Sequence, residues 1–209
     1  MSNLIICFCS LTLLFSCSDS SPKSRLEKRI SIYLDRLESS AIDLQHELDN
    51  IADMKRLNTV GRMKKAISII KQSELTLKKA NQDTAAYIAF INSNSRELKK
   101  ENLDHYIDVR DILNQSLRSK RQAIADYFKT LTKWLNYSAS NFKRLKAKET
   151  AAIHSYDSLL TNVNRSLKRY NTANKQYHQF VDSFISKNPE SVQRFKQHYK
   201  TMKKELGWR

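Results

Sequence analysis

The chain is predicted to be all-α: an elongated antiparallel helical bundle or coiled coil of about four long helices, with a short fifth at the C-terminus. Three observations lead there. The 209 residues include only two glycines, Gly61 and Gly207, and two prolines, Pro22 and Pro189, whereas a β-rich chain needs turn residues about every 8–12 positions. Lys, Leu, Ala, Ser, Asn and Arg dominate the body, and most of these are tolerable helix formers. Apolar residues recur at steps of three and four along most of the chain, the spacing that lines one face of a helix. Helices of about 30–45 residues would be about 45–70 Å long, and short turns would make neighbours antiparallel.

The first helix is expected from Ser24 to Leu57, with the seam Leu26, Ile30, Tyr33, Leu37, Ala41, Leu44, Leu48, Ile51. Its mean step of about 3.6 is that of a straight helix. The turn falls on Asn58-Thr59-Val60-Gly61, where Asn or Gly can take the left-handed conformation that ends a helix. A second helix starts near Arg62, with Met63, Ile67, Ile70, Leu77, Ala80, Thr84, Ile88 and Ile91 on its seam. The polar run Asn92–Ser95 reads as its end, and Asn94 with Glu97 has the form of a capping box. From Arg96 to Lys187 the periodicity hardly stops. Leu103, Tyr106, Leu113, Leu117, Ile124, Tyr127, Leu131 and Trp134 lead its first part, and Asn136–Asn141 is the expected break. From Tyr156 to Phe184 the steps alternate four and three, a 3.5-residue period that implies coiling against a partner helix, with Asn174 on the seam at a wet edge in the favoured reading or fixing register in the alternative. Asn188-Pro189-Glu190 opens the last helix, since Pro is tolerated at the first helical position and Glu suits the positive helix end. Its stripe is Val192, Phe195, Tyr199, Met202 and Leu206, flanked by Lys196, Lys200 and Lys203, and Gly207 should end it. This helix either caps the bundle or lies on a membrane surface, and the ordinary core spacing favours the cap.

The start of the chain differs in kind. Leu4–Phe15 is apolar apart from Ser10 and Thr12, shorter than the roughly 20 residues that cross a bilayer and matched to the apolar region of a secretory signal. A small, polar stretch follows. The residues Leu14-Phe15-Ser16-Cys17 resemble the lipobox of bacterial lipoproteins, in which a leucine, a variable residue and a small residue precede the cysteine. That resemblance implies a signal peptide over 1–16, a new N-terminus at Cys17 carrying lipid such as palmitate, and a lipidated tether over 17–23. It also implies attachment to a cell membrane or, with Ser18 following the cysteine, an outer membrane, facing the periplasm or the exterior. Phe15 is bulky for its place, and Met1-Ser2-Asn3 lacks the usual Lys or Arg. Residues 24–209 would then form one helical domain without cysteine, which excludes a disulfide framework and a thiolate metal site there.

The formal net charge is +16, and no charged residue precedes Cys17. Between Ile112 and Thr150 the bases Arg118, Lys120, Arg121, Lys129, Lys133, Lys143, Arg144, Lys146 and Lys148 face only Asp126 and Glu149. An imbalance of this size favours anionic partners through attraction that weakens with salt, so these nine residues are the candidate anion-binding set. Two glycines exclude a glycine-rich phosphate loop. His46, His105, His154, His178 and His198 form no zinc-protease pair and no double Glu-x-x-His unit. Asp104, Asp108 and Asp111 share a helix face with His105 close by, which reads as a solvated acidic patch rather than a cation site. No metal, no cofactor and no catalytic residue is assigned, and the chain is read as a non-enzyme. Tyr127, Phe128, Trp134, Tyr137 and Phe142 interleave with lysines as single-strand nucleic-acid binders do. Tyr127 and Trp134 lie on the seam, however, so core packing is favoured and nucleic acid disfavoured.

The sequence therefore points to a lipid-anchored envelope protein that binds an anionic wall or lipid component, or a protein partner or second copy through its coiled coil. Tether, long Lys-rich helices and the stretch Leu167–Phe184 together resemble, in organisation only, the helical cell-wall-binding lipoproteins of Firmicutes. A periplasmic holdase or adaptor is the alternative, and it would need exposed apolar surface between helices.

Overall fold

Ser21 and Pro22 set the first helix. Ser21 Oγ accepts a hydrogen bond from the Ser24 amide at 3.2 Å, and Pro22 takes the first helical position, where its missing N–H costs nothing. The structure is a computed structural model that describes residues 21–54 and 57–205. The expected signal, Cys17 and most of the tether lie outside the described residues, as do Leu206, Gly207 and the side chains of Met202 and Lys203. Helix α1 spans Pro22–Ala52, so Pro22 and Lys23 are helical rather than tether. It ends five residues before Leu57, and Gly61 stands inside the first turn of the next helix, where it stops nothing. Helix α2, Val60–Lys100, is capped by Thr59 Oγ1, which accepts from the Arg62 amide.

Contrary to expectation, α2 runs through Asn92–Ser95. Asn94 Nδ2 donates to the Phe90 carbonyl at 2.7 Å and Ser95 Oγ to that of Asn92. Their side chains thus bond back to their own helix, the alternative to capping open to such residues. The helix stops ten residues beyond Phe90. Asn102 is left-handed (φ 59°), Leu103 N–H donates to Leu98 O at 2.7 Å, and Asn102 N–H donates to Lys99 O. This is a Schellman stop, and the fully buried Leu98 and Leu103 supply its apolar contact.

Helix α3 (His105–Ile112) passes through a π-helical turn, Leu113–Leu117, into α4 (Arg118–Ser140). The expected break at Asn136–Asn141 is confined to Asn141, after which a short α5 (Phe142–Lys146) follows. The chain reverses instead at Lys148, a second left-handed residue (φ 57°) with the same paired bonds, Glu149 to Arg144 and Lys148 to Leu145. Helix α6 (Thr150–Lys187) and helix α7 (Pro189–Glu205) complete the fold. Asn188 caps in the opposite sense from that expected: its side chain donates to the Phe184 carbonyl and so closes the end of α6.

Helix α2 packs on α1, α4 on α2 and α6 on α4. Each contact is antiparallel. Tyr33 stacks on Phe90 with centroids 5.0 Å apart, Arg121 of α4 reaches Ala80 and Thr84 of α2, and Tyr127 of α4 stacks on Tyr170 of α6. One apolar cluster joins all four long helices through Leu44, Ile70, Leu77, Phe128, Leu135 and Val163. A second, at the other end, joins α1, α2 and α3 through Ile30, Tyr87, Phe90, Leu98 and Tyr106, with Phe195 and Tyr199 of α7 laid against it. The last helix thus caps the bundle. Along α4 the seam is turned from the expected line: Phe128 and Leu135 are fully buried, whereas Tyr127 and Trp134 are half-buried. Along α6 most of the seam is half-buried, Asn174 included. No strand occurs among the described residues.

Candidate anion-binding groove

The antiparallel pairing of α4 and α6 is pinned by residues whose partners are short. Thr130 Oγ1 and Ser166 Oγ share a hydrogen bond of 2.6 Å across the interface. Trp134 packs on Tyr156, and Tyr137 Oη donates to the Ala152 carbonyl at 3.2 Å. Residues one position before Thr130 and Ser166, together with those one turn further on, point to the outside of this pair. They are Lys129 and Lys133 on α4, and Arg165 and Arg169 on α6. The four cations border a groove of about 390 Å³ with the Thr130–Ser166 hydroxyl pair in it. All four are exposed, and none is in an ion pair among the described residues. Asp126 is the acid in the lining, and Gln122 donates to it at 3.2 Å.

Four like charges held on two rims raise the local concentration of anions, while the two hydroxyls spend their protons on each other and on the Tyr127 or Val163 carbonyl. The rim charges repel one another and none is in an ion pair among the described residues, so a bound anion relieves that repulsion, less so as salt rises.

The nine candidate residues do not form one patch. Lys129 and Lys133 belong to the groove. Arg118 is exposed on the opposite side of α4, in a cleft against α2. Lys120 is half-buried with its Nζ 4.8 Å from the Tyr177 ring centroid, and burial lowers its pKa. Arg121, expected at the surface, is 8 % exposed and bonded to α2. Lys143, Arg144, Lys146 and Lys148 cluster at the corner between α4 and α6, where Arg144 pairs with Glu149 at 2.7 Å and Lys146 sits 5.7 Å from the Phe142 ring centroid. Arg165 and Arg169 were not among the nine. Their signal was present in the sequence: Arg165, Lys168, Arg169 and Lys175 occur between Asp157 and Asp182 with no acid intervening.

The interleaved aromatics are consumed by packing: Phe128 is in the core, Tyr127 lies on Tyr170 and Trp134 on Tyr156. The acidic face at Asp104, Asp108 and Asp111 is likewise engaged. Asp104 pairs with Arg194 at 2.9 Å, Asp108 accepts from the Ser191 hydroxyl, and Asp111 pairs with Arg110. Among the described residues no three His, Cys, Asp or Glu side chains converge as metal ligands, and no helix is long and apolar enough to cross a membrane. Comparison with protein-family models, curated proteins and solved structures finds no match for this chain.

Proposed function

We propose that this chain is a non-catalytic, lipid-anchored protein of the cell envelope, held by Cys17, whose α4–α6 groove binds a polyanionic envelope component. The convergence of Lys129, Lys133, Arg165 and Arg169 on one groove carries the binding half of this reading. The lipobox-like Leu14–Cys17 carries the address. A polymer bearing repeated phosphates or carboxylates can meet both rims at once, and each neutralised charge adds to its salt dependence. The holdase reading is less well supported. The exposed large apolar residues, Ile32, Ile42, Leu75, Ile153 and Ile185, are scattered over three helices rather than gathered into one face.

Binding to purified teichoic acid, lipopolysaccharide and peptidoglycan is measured against salt for the parent and for a variant with Lys129, Lys133, Arg165 and Arg169 changed to Gln. A control changes the exposed Lys28, Lys64, Lys71 and Lys99 to Gln. The proposal expects one of the polymers to bind, with most affinity and salt dependence lost in the groove variant and kept in the control. Equal losses in both would reduce the effect to net charge and sink the groove. Membrane fractionation with and without Cys17→Ala, with fatty-acid labelling, tests the anchor separately.

A further inference from the structure

On the α2 side of α4, Arg121 is a buried cation in no ion pair among the described residues. Only 8 % of it is exposed. Its Nη1 donates to Thr84 Oγ1 at 2.6 Å, to Ala80 O at 2.7 Å and to Asn81 Oδ1 at 3.3 Å, all neutral acceptors, while its Nε is buried without a partner. The nearby acid is Asp83, which forms no ion pair with it and whose own Oδ2 is buried and unpartnered. Burial brings the Arg121 pKa down to about 10, so the side chain remains cationic at neutral pH. A buried charge lacking a partner costs several kcal/mol, and an opposite charge brought to it recovers part of that cost.

Arg121 stands in the wall of a cleft of about 280 Å³ between α2 and the α3–α4 segment. Arg118, one turn earlier, reaches the same cleft, and Asn81 and Asn114 add amide groups. Beyond Thr84, which is bonded to Arg121, the rest of the lining is apolar: Ala85 and Ile88 from α2, with Leu113 and Leu117 from the π-helical turn. Such turns carry one extra residue and are frequent at functional sites. Here the turn supplies three of the lining residues, Leu113, Asn114 and Leu117.

We infer that this cleft binds a small amphipathic monocarboxylate, its carboxylate on Arg121 and Arg118 and its apolar tail against Ile88, Leu113 and Leu117. A planar carboxylate matches the guanidinium fork, and one negative charge suits the single buried cation. The apolar wall favours a hydrocarbon tail over a bare or polyphosphorylated anion. The site is separate from the α4–α6 groove and stands or falls without it.

The test is calorimetric titration of the full-length protein with octanoate, with octan-1-ol and inorganic phosphate as comparisons. The inference expects one octanoate per chain, neither comparison binding as well, and only weak dependence on salt. Arg121→Met keeps the unbranched stem and removes the charged guanidinium. Ala85→Leu, at the exposed edge of the cleft, fills it while leaving Arg121 in place. Arg121→Met should weaken octanoate by about 10–100-fold, the worth of a hydrogen-bonded charge, and Ala85→Leu should weaken it by keeping the tail out of the cleft, while the groove variant binds octanoate as the parent does. Octanol binding as tightly as octanoate, phosphate competing equally, undiminished affinity in Ala85→Leu, or no octanoate binding at all would each overturn the assignment.

Discussion

Acid is expected to loosen the end of the rod where α3 and α7 meet, through His105. This ring is 2 % exposed and lies on Tyr106 with centroids 4.3 Å apart. Its Nε2 is 3.3 Å from His198 Nδ1, and His198 Nε2 is 3.0 Å from Glu27 Oε1. With His198 donating to the carboxylate, the neutral pair has His105 donating from Nε2, which leaves its buried Nδ1 as a bare acceptor without a partner. A proton added at Nδ1 would find no acceptor. It would also bring charge beside His198 and Arg194 of α7 and Lys23 of α1, offset in part by Asp104. Burial first, then His198, Arg194 and Lys23, lower the His105 pKa from 6.5 to about 4. The unfolded chain takes up this proton near pH 6.5 and the folded chain only near pH 4. Stability therefore falls as pH drops through that window and levels off below it. The full loss is about 3 kcal/mol, and about 2 kcal/mol is gone by about pH 5, equivalent to about 4–8 °C in Tm for a chain of this size. Urea unfolding at about pH 7.5 and about pH 5, followed by circular dichroism, measures it in the parent and in His105→Phe, which cannot titrate. The difference between the two proteins isolates His105 from the carboxylates and the rising net charge they share. Equal losses in both would refute the reasoning.

Four further outcomes follow from the backbone and the packing. Lys148 holds a left-handed backbone that costs an L-residue about 1–2 kcal/mol, so Lys148→Gly should raise stability by about 0.5–1 kcal/mol after the loss of unfolded-state restriction, read as a higher urea midpoint. Asn102→Gly should gain less, because Asn tolerates this conformation. Phe128 is fully buried in the cluster shared by all four long helices, and Phe128→Ala should cost about 3–5 kcal/mol in equilibrium unfolding, with an unchanged m-value. Thr130→Cys with Ser166→Cys, placed where the two hydroxyl oxygens are 2.6 Å apart, should form an intramolecular disulfide on mild oxidation. Pairing Thr130→Cys with Ala173→Cys, one heptad along, should not, and the reverse pattern on a gel would displace the register of α6.

Helical content and most of the core were legible because the signals are local. Leu26, Ile30, Leu44 and Ile51 repeat at helical steps and are buried. Pro189 marks its helix start from its own backbone geometry. What failed was decided by competition or by tertiary contact. Asn94 and Ser95 have the chemistry of caps but spend it on carbonyls within the helix. The true stops use Asn102 and Lys148, and nothing in a lysine's own preferences marks it for a left-handed position. Leu34 and Ser40 replace Ala41 in the buried stripe of α1, because a stripe wider than one residue is needed to face α2. In the candidate set, Lys129 and Lys133 could be read from charge imbalance alone. Arg121 was read as exposed because charge predicts exposure, and only the approach of α2 brings the neutral acceptors that bury it.

The groove depends on register more than on composition. From Tyr156 to Phe184 the apolar seam of α6 repeats every seven residues, so sliding α6 along α4 by one heptad would leave apolar residues facing apolar residues. The slide would replace Arg165 and Arg169 opposite Lys129 and Lys133 by Thr172 and Gln176 in one direction, or by Ser158 and Asn162 in the other. It would also set Thr130 against Ala173 or Leu159 in place of Ser166, removing the hydrogen bond across the interface at a cost of about 0.5–1.5 kcal/mol. The heptad repeat therefore specifies that α6 packs on α4 but not where. The polar pair Thr130–Ser166 and the packed Trp134 and Tyr156 select one among registers that hydrophobicity leaves nearly equal. That selection brings two pairs of cations, far apart in sequence, onto the rims of a single groove.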